Sequence, residues 1–232
     1  SVSVLYALSS VIASSVLSYF AIILALLLNE VRIRWFKKIV QTATFLPYFV
    51  SWVIISSMFR NILGSSGVVN QILVNVFALQ PISFLTDPAI FRWVVVLQDT
   101  WKWCGYFAVL YLAAMTTIDP ALYEAAEIDG GNVLQRWIYI TLPMVSSVIF
   151  FNLVMGLIGT FQVFSQAYVM TEGGPNNSSL FMVYYLFRNA FQYGRMGYAS
   201  AIAWILFLIV LAFTLLIFKS SPAWVYYEGE RR

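Results

Sequence analysis

Apolar residues run in five long stretches, at about residues 2–28, 39–59, 90–115, 143–170 and 196–218. Each approaches or exceeds the roughly 20 residues that a helix needs to cross a bilayer. The pattern predicts an all-α membrane chain with about five transmembrane helices. Pro47 falls inside the second stretch, where its ring removes a donor and strains the preceding turn, so that helix should kink or break. Residues 60–90 mix polar and apolar groups around Gly64-Ser-Ser-Gly67, Pro81 and Asp87-Pro88. They predict an external loop carrying one interfacial helix over residues 68–77. Residues 171–179 are turn-rich. Residues 180–192, interrupted by Arg188 and Asn189, predict a second interfacial helix. Ser9, Ser10, Ser14, Ser15 and Ser18 in the first stretch suit close helix packing in lipid or bonds back to their own helix. No repeat and no low-complexity linker divides residues 1–232, which form a single membrane domain.

The polar break at residues 119–143 is the one long segment that is both helix-forming and acidic. Asp119 is a good N-cap and Pro120 fits the first helical position. Glu124 and Glu127 lie nearer the positive end of the helix dipole than its negative end. Ala121, Ala125 and Ile128 share a face, and Ala125 and Ala126 let another surface approach closely. Gly130 and Gly131 should stop this helix. Asn132 can cap a second one through Ile140, and Pro143 can open the next long helix. From chemistry alone the segment is as readily a solvated connection as a docking element.

Composition agrees with the pattern. The chain is 61% hydrophobic and 10% charged, with a mean hydropathy of +0.82, far from a soluble domain. An aromatic share of 18% fits well-populated interface belts. A net charge of +3 gives no argument for nucleic acid. There is no histidine, the commonest general base, and Cys104 alone permits no internal disulfide and no Cys-rich metal site. No catalytic or metal-ligating set is apparent, and no phosphate loop is present, so this chain cannot hydrolyse ATP. Cations orient the chain. Arg32, Arg34, Lys37, Lys38, Arg136, Lys219, Arg231 and Arg232 fall on one side, against Arg60, Arg92, Arg188 and Arg195 on the other. The richer side is the inner one, which places residues 119–143 and the C-terminus inside and Ser1 outside.

Polar groups inside the spans are the candidates for a substrate path. The third stretch carries Gln98-Asp-Thr-Trp-Lys-Trp-Cys-Gly-Tyr106. A charge at mid-bilayer costs about 2.5–3.5 kcal/mol on insertion scales, so Asp99 and Lys102 should face protein or water. Three residues apart, they can pair on one helix face, as a structural ion pair or as part of a polar lining. Trp101, Trp103 and Tyr106 lie beside them. Flat rings next to polar groups suit a sugar, though an interface belt or packing explains any one ring. The fourth stretch offers Asn152, Gly156, Gly159, Thr160, Gln162 and Gln166. The glycines remove bulk where a ligand or another helix comes close. Gln162 and Gln166 share a face at i and i+4, for a ligand or for helix–helix hydrogen bonds.

Glu124-Ala-Ala, Asp129-Gly130 and Ile140-Thr-Leu-Pro143, in this order and topological place, resemble the cytoplasmic coupling loop of binding-protein-dependent ABC transporter permeases. Gly130-Gly131 stands where that family usually has Gly-Ala. Phe45-Leu-Pro47, Gly67-Val-Val-Asn70, Thr171-Glu-Gly-Gly-Pro175 and Gly197-Tyr-Ala-Ser-Ala201 resemble its carbohydrate-uptake branch, of the maltose, multiple-sugar and polysaccharide type. The run from Gly194 to Trp204 looks closest to permeases for oligo- or polysaccharide import. The resemblance implies a type I ABC importer permease fold in a bacterial plasma (inner) membrane. Tyr123, Glu124, Ala125, Ala126, Asp129 and Gly130 would engage an ATPase subunit. It implies a second homologous permease, two ATPase subunits that hold ATP and Mg, and an extracellular or periplasmic solute-binding protein, which residues 171–179 would contact. No cofactor is expected in this chain. Sugar contacts in the family come from the helices flanking the coupling loop, which carries Asp99, Lys102, Trp103, Tyr106, Gly156, Gly159, Thr160 and Gln162 over as substrate-path residues. The implied function is ATP-driven, alternating-access import of oligosaccharides or polysaccharide fragments. Such permeases begin inside, so one N-terminal helix is expected ahead of Ser1. The rival is an ion-gradient carrier that uses Asp99 and Lys102 as coupling charges. An enzyme is disfavoured by the missing histidine and by the lack of a nucleophile–base pair.

Overall fold

The computed structural model describes residues 20–226 apart from 175, 176, 178 and 179. Ser9, Ser10, Ser14, Ser15 and Ser18, Pro175 of the external turn, and Arg231 and Arg232 lie outside the described residues, as does the side chain of Arg92. The described chain is helical, with no strand.

Helix α1, Phe20–Glu30, is the described part of the first apolar stretch. Its face at Ala21, Ala25 and Leu28 is buried, while Phe20, Ile23 and Leu27 are exposed. That spacing is the signature of a helix with one protein-facing stripe. Helix α2, Arg34–Phe45, gives way to a 3-10 turn at Leu46–Phe49 around Pro47. The chain straightens at Val50 and Ser51. Ser51 then accepts the Ile54 N–H at 3.4 Å and caps α3, Trp52–Leu63. The predicted break at Pro47 is therefore present. It divides the 39–59 stretch, and the membrane-length apolar segment is instead Trp52–Asn75, made of α3 and α4, Val68–Asn75.

Helix α5, Pro88–Met115, runs 28 residues without interruption, about 42 Å at 1.5 Å per residue. Asp87 caps it by accepting the Ala89 N–H at 2.8 Å. At its inner end the chain turns through 77° into α6, Pro120–Ile128. Helix α7, Val133–Arg136, continues through a five-residue π turn, Trp137–Thr141, into α8, Leu142–Met144. Pro143 thus does not open the long helix. It has no N–H for the Tyr139 carbonyl, and the wide turn absorbs that mismatch. The long helix α9, Ser146–Phe161, begins after Val145, breaks at 162–164, and resumes as α10, Ser165–Met170. Helix α11, Met182–Phe187, passes into a second π turn at Arg188–Gln192, and α12, Met196–Ser220, closes the bundle.

Among the described residues three segments are long and apolar enough to cross a bilayer: Trp52–Asn75, Ser146–Met170 and Met196–Ala223. A fourth qualifies when α5 and α6 are taken as one bent pair. Two cores sit toward opposite ends of α5. The inner one joins Ala21, Ala25 and Leu28 to Ala108, Tyr111, Met115 and Val145. The outer one joins Phe91, Val94 and Val95 to Met170, with Phe59, Leu63, Phe84 and Leu85 packed on it. In α12 only Ala199 and Ile202 are buried. Phe213 and Phe218 pack on Phe161 and Phe150 of α9, and much of the remaining apolar surface of α12 is exposed.

Candidate functional site

Helix α5 holds both charges that sequence places inside a span, and they do not meet. Lys102 is 5% exposed, and its Nζ turns to the Pro47 break. It donates to the carbonyls of Pro47 at 3.4 Å and Tyr48 at 3.0 Å, and to that of Val50. It also lies 5.1 Å from the centroid of the Trp52 ring. These three carbonyls belong to the 3-10 turn and the extended residue after it, where the helical ladder is interrupted; the Pro47 carbonyl also accepts the Val50 N–H at 3.1 Å. An ammonium carries three donors and fits that need. Asp99 turns the other way and accepts from Gln166 Nε2 at 3.0 Å. The expected Asp99–Lys102 pair is therefore not formed. Among the described residues the ion pair present is Arg136 with Glu127. Two positions on one helix thus hold two neighbouring spans beside their breaks: Lys102 at 46–50, and Asp99 through Gln166 just past 162–164.

The rings near Lys102 form a packed layer. Tyr106 stacks on Tyr48 at 4.6 Å and on Phe45 at 6.3 Å between centroids. Trp103 meets Tyr48 and Tyr106 edge-on at 5.4 and 5.8 Å. Trp101 instead lies beside Phe59. The layer closes because Gly105 touches the backbone of Thr44 and Phe45, where a Cβ would collide with it. Sequence reasoning passed over Gly105; a lone glycine inside an aromatic helical run was the available signal.

The fourth span departs from expectation. A Cβ at Gly156 or Gly159 would meet nothing within 4 Å, so neither glycine serves a close approach inside this chain. Thr160 donates back to the Gly156 carbonyl at 2.8 Å. Gln162 and Gln166 do not share a face, because the helix breaks between them. Gln162 is exposed, and Gln166 is buried against Asp99. What α9 does present is an open stripe of Met155, Gly159 and Gln162. Two buried amides lie deeper. Gln98 donates to Ser56 Oγ at 3.4 Å. Gln98 Oε1 and Asn152 Nδ2 find no partner among the described residues.

The 119–143 segment folds as its caps predict. Asp119 accepts the Ala121 N–H at 2.9 Å. Gly130 takes φ +78°, and the Gly131 N–H returns to the Ala126 carbonyl at 2.8 Å. Asn132 and Gln135 exchange backbone and side-chain bonds at 2.8 and 2.9 Å, a reciprocal cap. No residue of α6 is buried, and Leu122 and Ile128 are 43% and 87% exposed. Glu124, Ala125, Asp129 and Gly130 are exposed, Ala126 half-buried. The helix is braced from behind. Tyr123 Oη lies 3.0 Å from Thr141 Oγ1, Glu127 pairs with Arg136, and Trp137 Nε1 donates to Glu30 at 3.1 Å. The tail joins the same base, where the Tyr226 N–H donates to Ser146 Oγ at 2.7 Å. These last two contacts link residues 107 and 80 positions apart, beyond the reach of local pattern.

Residues 18–220 match the family described as binding-protein-dependent transport system inner membrane component. The chain belongs to this family. It is a permease subunit of the ABC transporter class, set in the inner membrane. The permease is 39% identical, over 91% of its length, to the probable ABC transporter permease protein YesP of Bacillus subtilis, and covers 68% of that protein. It is 36% identical over 87% of its length to the lactose transport system permease protein LacF of Rhizobium radiobacter, again covering 68%. The permease thus spans about two thirds of these relatives. Among solved structures, a bacterial alginate ABC transporter in complex with its alginate pentasaccharide-bound periplasmic protein matches with a TM-score of 0.80 and 31% identity. That match covers 92% of this chain and 77% of the other. The all-α, type I permease fold expected from the resemblance is the fold found.

Proposed function

We propose that this permease forms half of the pore of an ATP-driven oligosaccharide importer. LacF carries lactose in its name, and the alginate transporter was solved with an oligosaccharide on its periplasmic protein. The same class of substrate, oligosaccharides or polysaccharide fragments, is assigned here. The observation that carries the proposal is α6: a short, capped helix with Leu122 and Ile128 uncovered, braced only from its membrane side. Uncovered apolar groups on a rigid helix favour a protein partner. That partner is an ATPase subunit. A homologous permease completes the pore, and a solute-binding protein delivers sugar from outside.

The mechanism is alternating access. Closure of the ATPase pair around ATP and Mg displaces α6. The Tyr123–Thr141 contact passes the displacement to the base of α9, and the bend at 116–119 passes it to α5. Because α5 holds the 46–50 break through Lys102 and α10 through Asp99, a shift of α5 moves the outer halves of both neighbouring spans. The open stripe of α9 and the edge of the Trp103–Tyr106 layer wall the sugar path. Lys102 serves as a positioning residue there rather than a ligand. The ion-gradient alternative is disfavoured, since Lys102 already serves three carbonyls.

Glu124→Lys or Ala126→Trp should lower ATPase co-purification or sugar uptake by about tenfold or more, the scale of an interface hot spot. Full association and full uptake in both variants would remove α6 from the role given to it.

A further inference from the structure

The outer end of the chain holds a cavity of about 540 Å³. It lies beside the start of α5, while α6 follows that helix's end, so cavity and coupling helix are on opposite sides of the membrane. One wall is the end of α3 and the turn after it, with Arg60, Asn61, Ser65 and Ser66. The second is the segment before α5, with Ser83 and Thr86, and the third is the end of α10 with Thr171 and Gly174 of the turn that follows it.

The walls are held in place. Asn70, 2% exposed, donates to the Gly64 and Ile82 carbonyls at 3.0 Å each and accepts the Ile82 N–H at 2.8 Å, so one buried amide joins two walls. Gln71 Nε2 donates to the Ser66 carbonyl at 3.0 Å. Arg60 Nη1 donates to the Val169 carbonyl at 3.1 Å and ties in the third. Leu63, Phe84, Leu85 and Met170, which also line the cavity, belong to the outer core. The volume lies within the range of preformed ligand pockets, about 300–1,000 Å³.

The lining is specific in chemistry. Hydroxyls and an amide surround an apolar floor, the one cation is the Arg60 guanidinium, and no carboxylate is among the lining residues. Hydroxyl-rich walls over an apolar floor suit a sugar ring. A guanidinium with donors beyond its single carbonyl bond suits a carboxylate. We propose that this cavity is an outer subsite for a sugar unit bearing a carboxylate, with Arg60 as its specificity-determining residue. The inference rests on the oligosaccharide-importer reading and narrows it to acidic sugars at the outer mouth.

The test uses the purified transporter complex in nanodiscs without its solute-binding protein. Trigalacturonate is the probe and maltotriose the neutral control, with affinity read by calorimetry. Trigalacturonate should bind at least tenfold more tightly than maltotriose. Arg60→Gln should erase that difference, and Ser83→Trp, which fills the cavity, should abolish the tight binding while ATPase subunits still co-purify. Equal affinity for the two sugars, or tight binding that survives both variants, overturns the proposal. If Ser83→Trp spares trigalacturonate binding but prevents solute-binding protein docking, the cavity is a protein socket and the proposal is likewise overturned. Uptake by the wild-type complex, reconstituted in proteoliposomes with its solute-binding protein, is measured in parallel. Its persistence confines a failure to the subsite, and its absence condemns the importer reading.

Discussion

Replacing Lys102 with methionine keeps most of the side-chain volume and removes the ammonium that serves the Pro47, Tyr48 and Val50 carbonyls. A buried acceptor left without a donor costs about 1–3 kcal/mol. The Pro47 carbonyl keeps the Val50 N–H at 3.1 Å, so the losses fall on Tyr48 and Val50, and they are offset in part because methionine escapes the cost of burying a charge. With one carbonyl's worth of that cost surviving, the net loss is about 1–3 kcal/mol, concentrated at the 46–50 break. The assay is thermal unfolding of the solubilised complex, alongside sugar uptake. The expected result is a lower midpoint together with reduced transport, since the outer half of the broken span loses its anchor on α5. Asp99→Asn should behave differently, because an asparagine still accepts from Gln166 and Lys102 does not depend on Asp99. A charge-swapped Asp99→Lys, Lys102→Asp double variant that restored wild-type stability would refute this reasoning, since only a direct pair would be rescued that way.

Gly105→Ala places a Cβ into the Thr44 backbone. Overpacking of this kind costs about 1–3 kcal/mol, to be seen as lower yield and earlier unfolding on size-exclusion analysis after heating. A Cβ at Gly159 meets nothing within 4 Å in this chain and the position is exposed, so with Gly159→Trp the complex should assemble yet lose uptake; unimpaired uptake would move the sugar path off this face of α9. Tyr123→Phe removes a hydrogen bond worth about 0.5–1.5 kcal/mol. It should leave the ATPase subunits bound while lowering sugar uptake per ATP hydrolysed, measured in proteoliposomes.

What sequence made legible was local. Pro47 breaks its helix by its own covalent geometry, and Asp119, Gly130 and Asn132 cap through neighbours within a few positions. Where a prediction depended on what the rest of the chain does, it failed for physical reasons. Asp99 and Lys102 have the spacing of a pair, but any backbone carbonyl can compete for an ammonium, and residue identity does not announce which ones will be left bare. Gln162 and Gln166 have the spacing of one face only if the helix is continuous, and no proline or glycine at 162–164 marked the break. Gly105, Gly156 and Gly159 look alike in apolar helices. Only packing separates the first, which lets α2 and α5 touch, from the others, which border open space. The outer cavity was hidden for the same reason: Asn70 joins segments whose proximity no periodicity encodes.

The central claim is that drive reaches this permease through α6 on its inner side. The direct measurement is cross-linking and labelling of Ala125→Cys in a Cys104→Ser background of the intact transporter. The account predicts a cross-link to an ATPase subunit and no reaction with a membrane-impermeant maleimide added outside intact cells. Labelling from the outside, or no ATPase cross-link in a complex that still contains the ATPase, would contradict it.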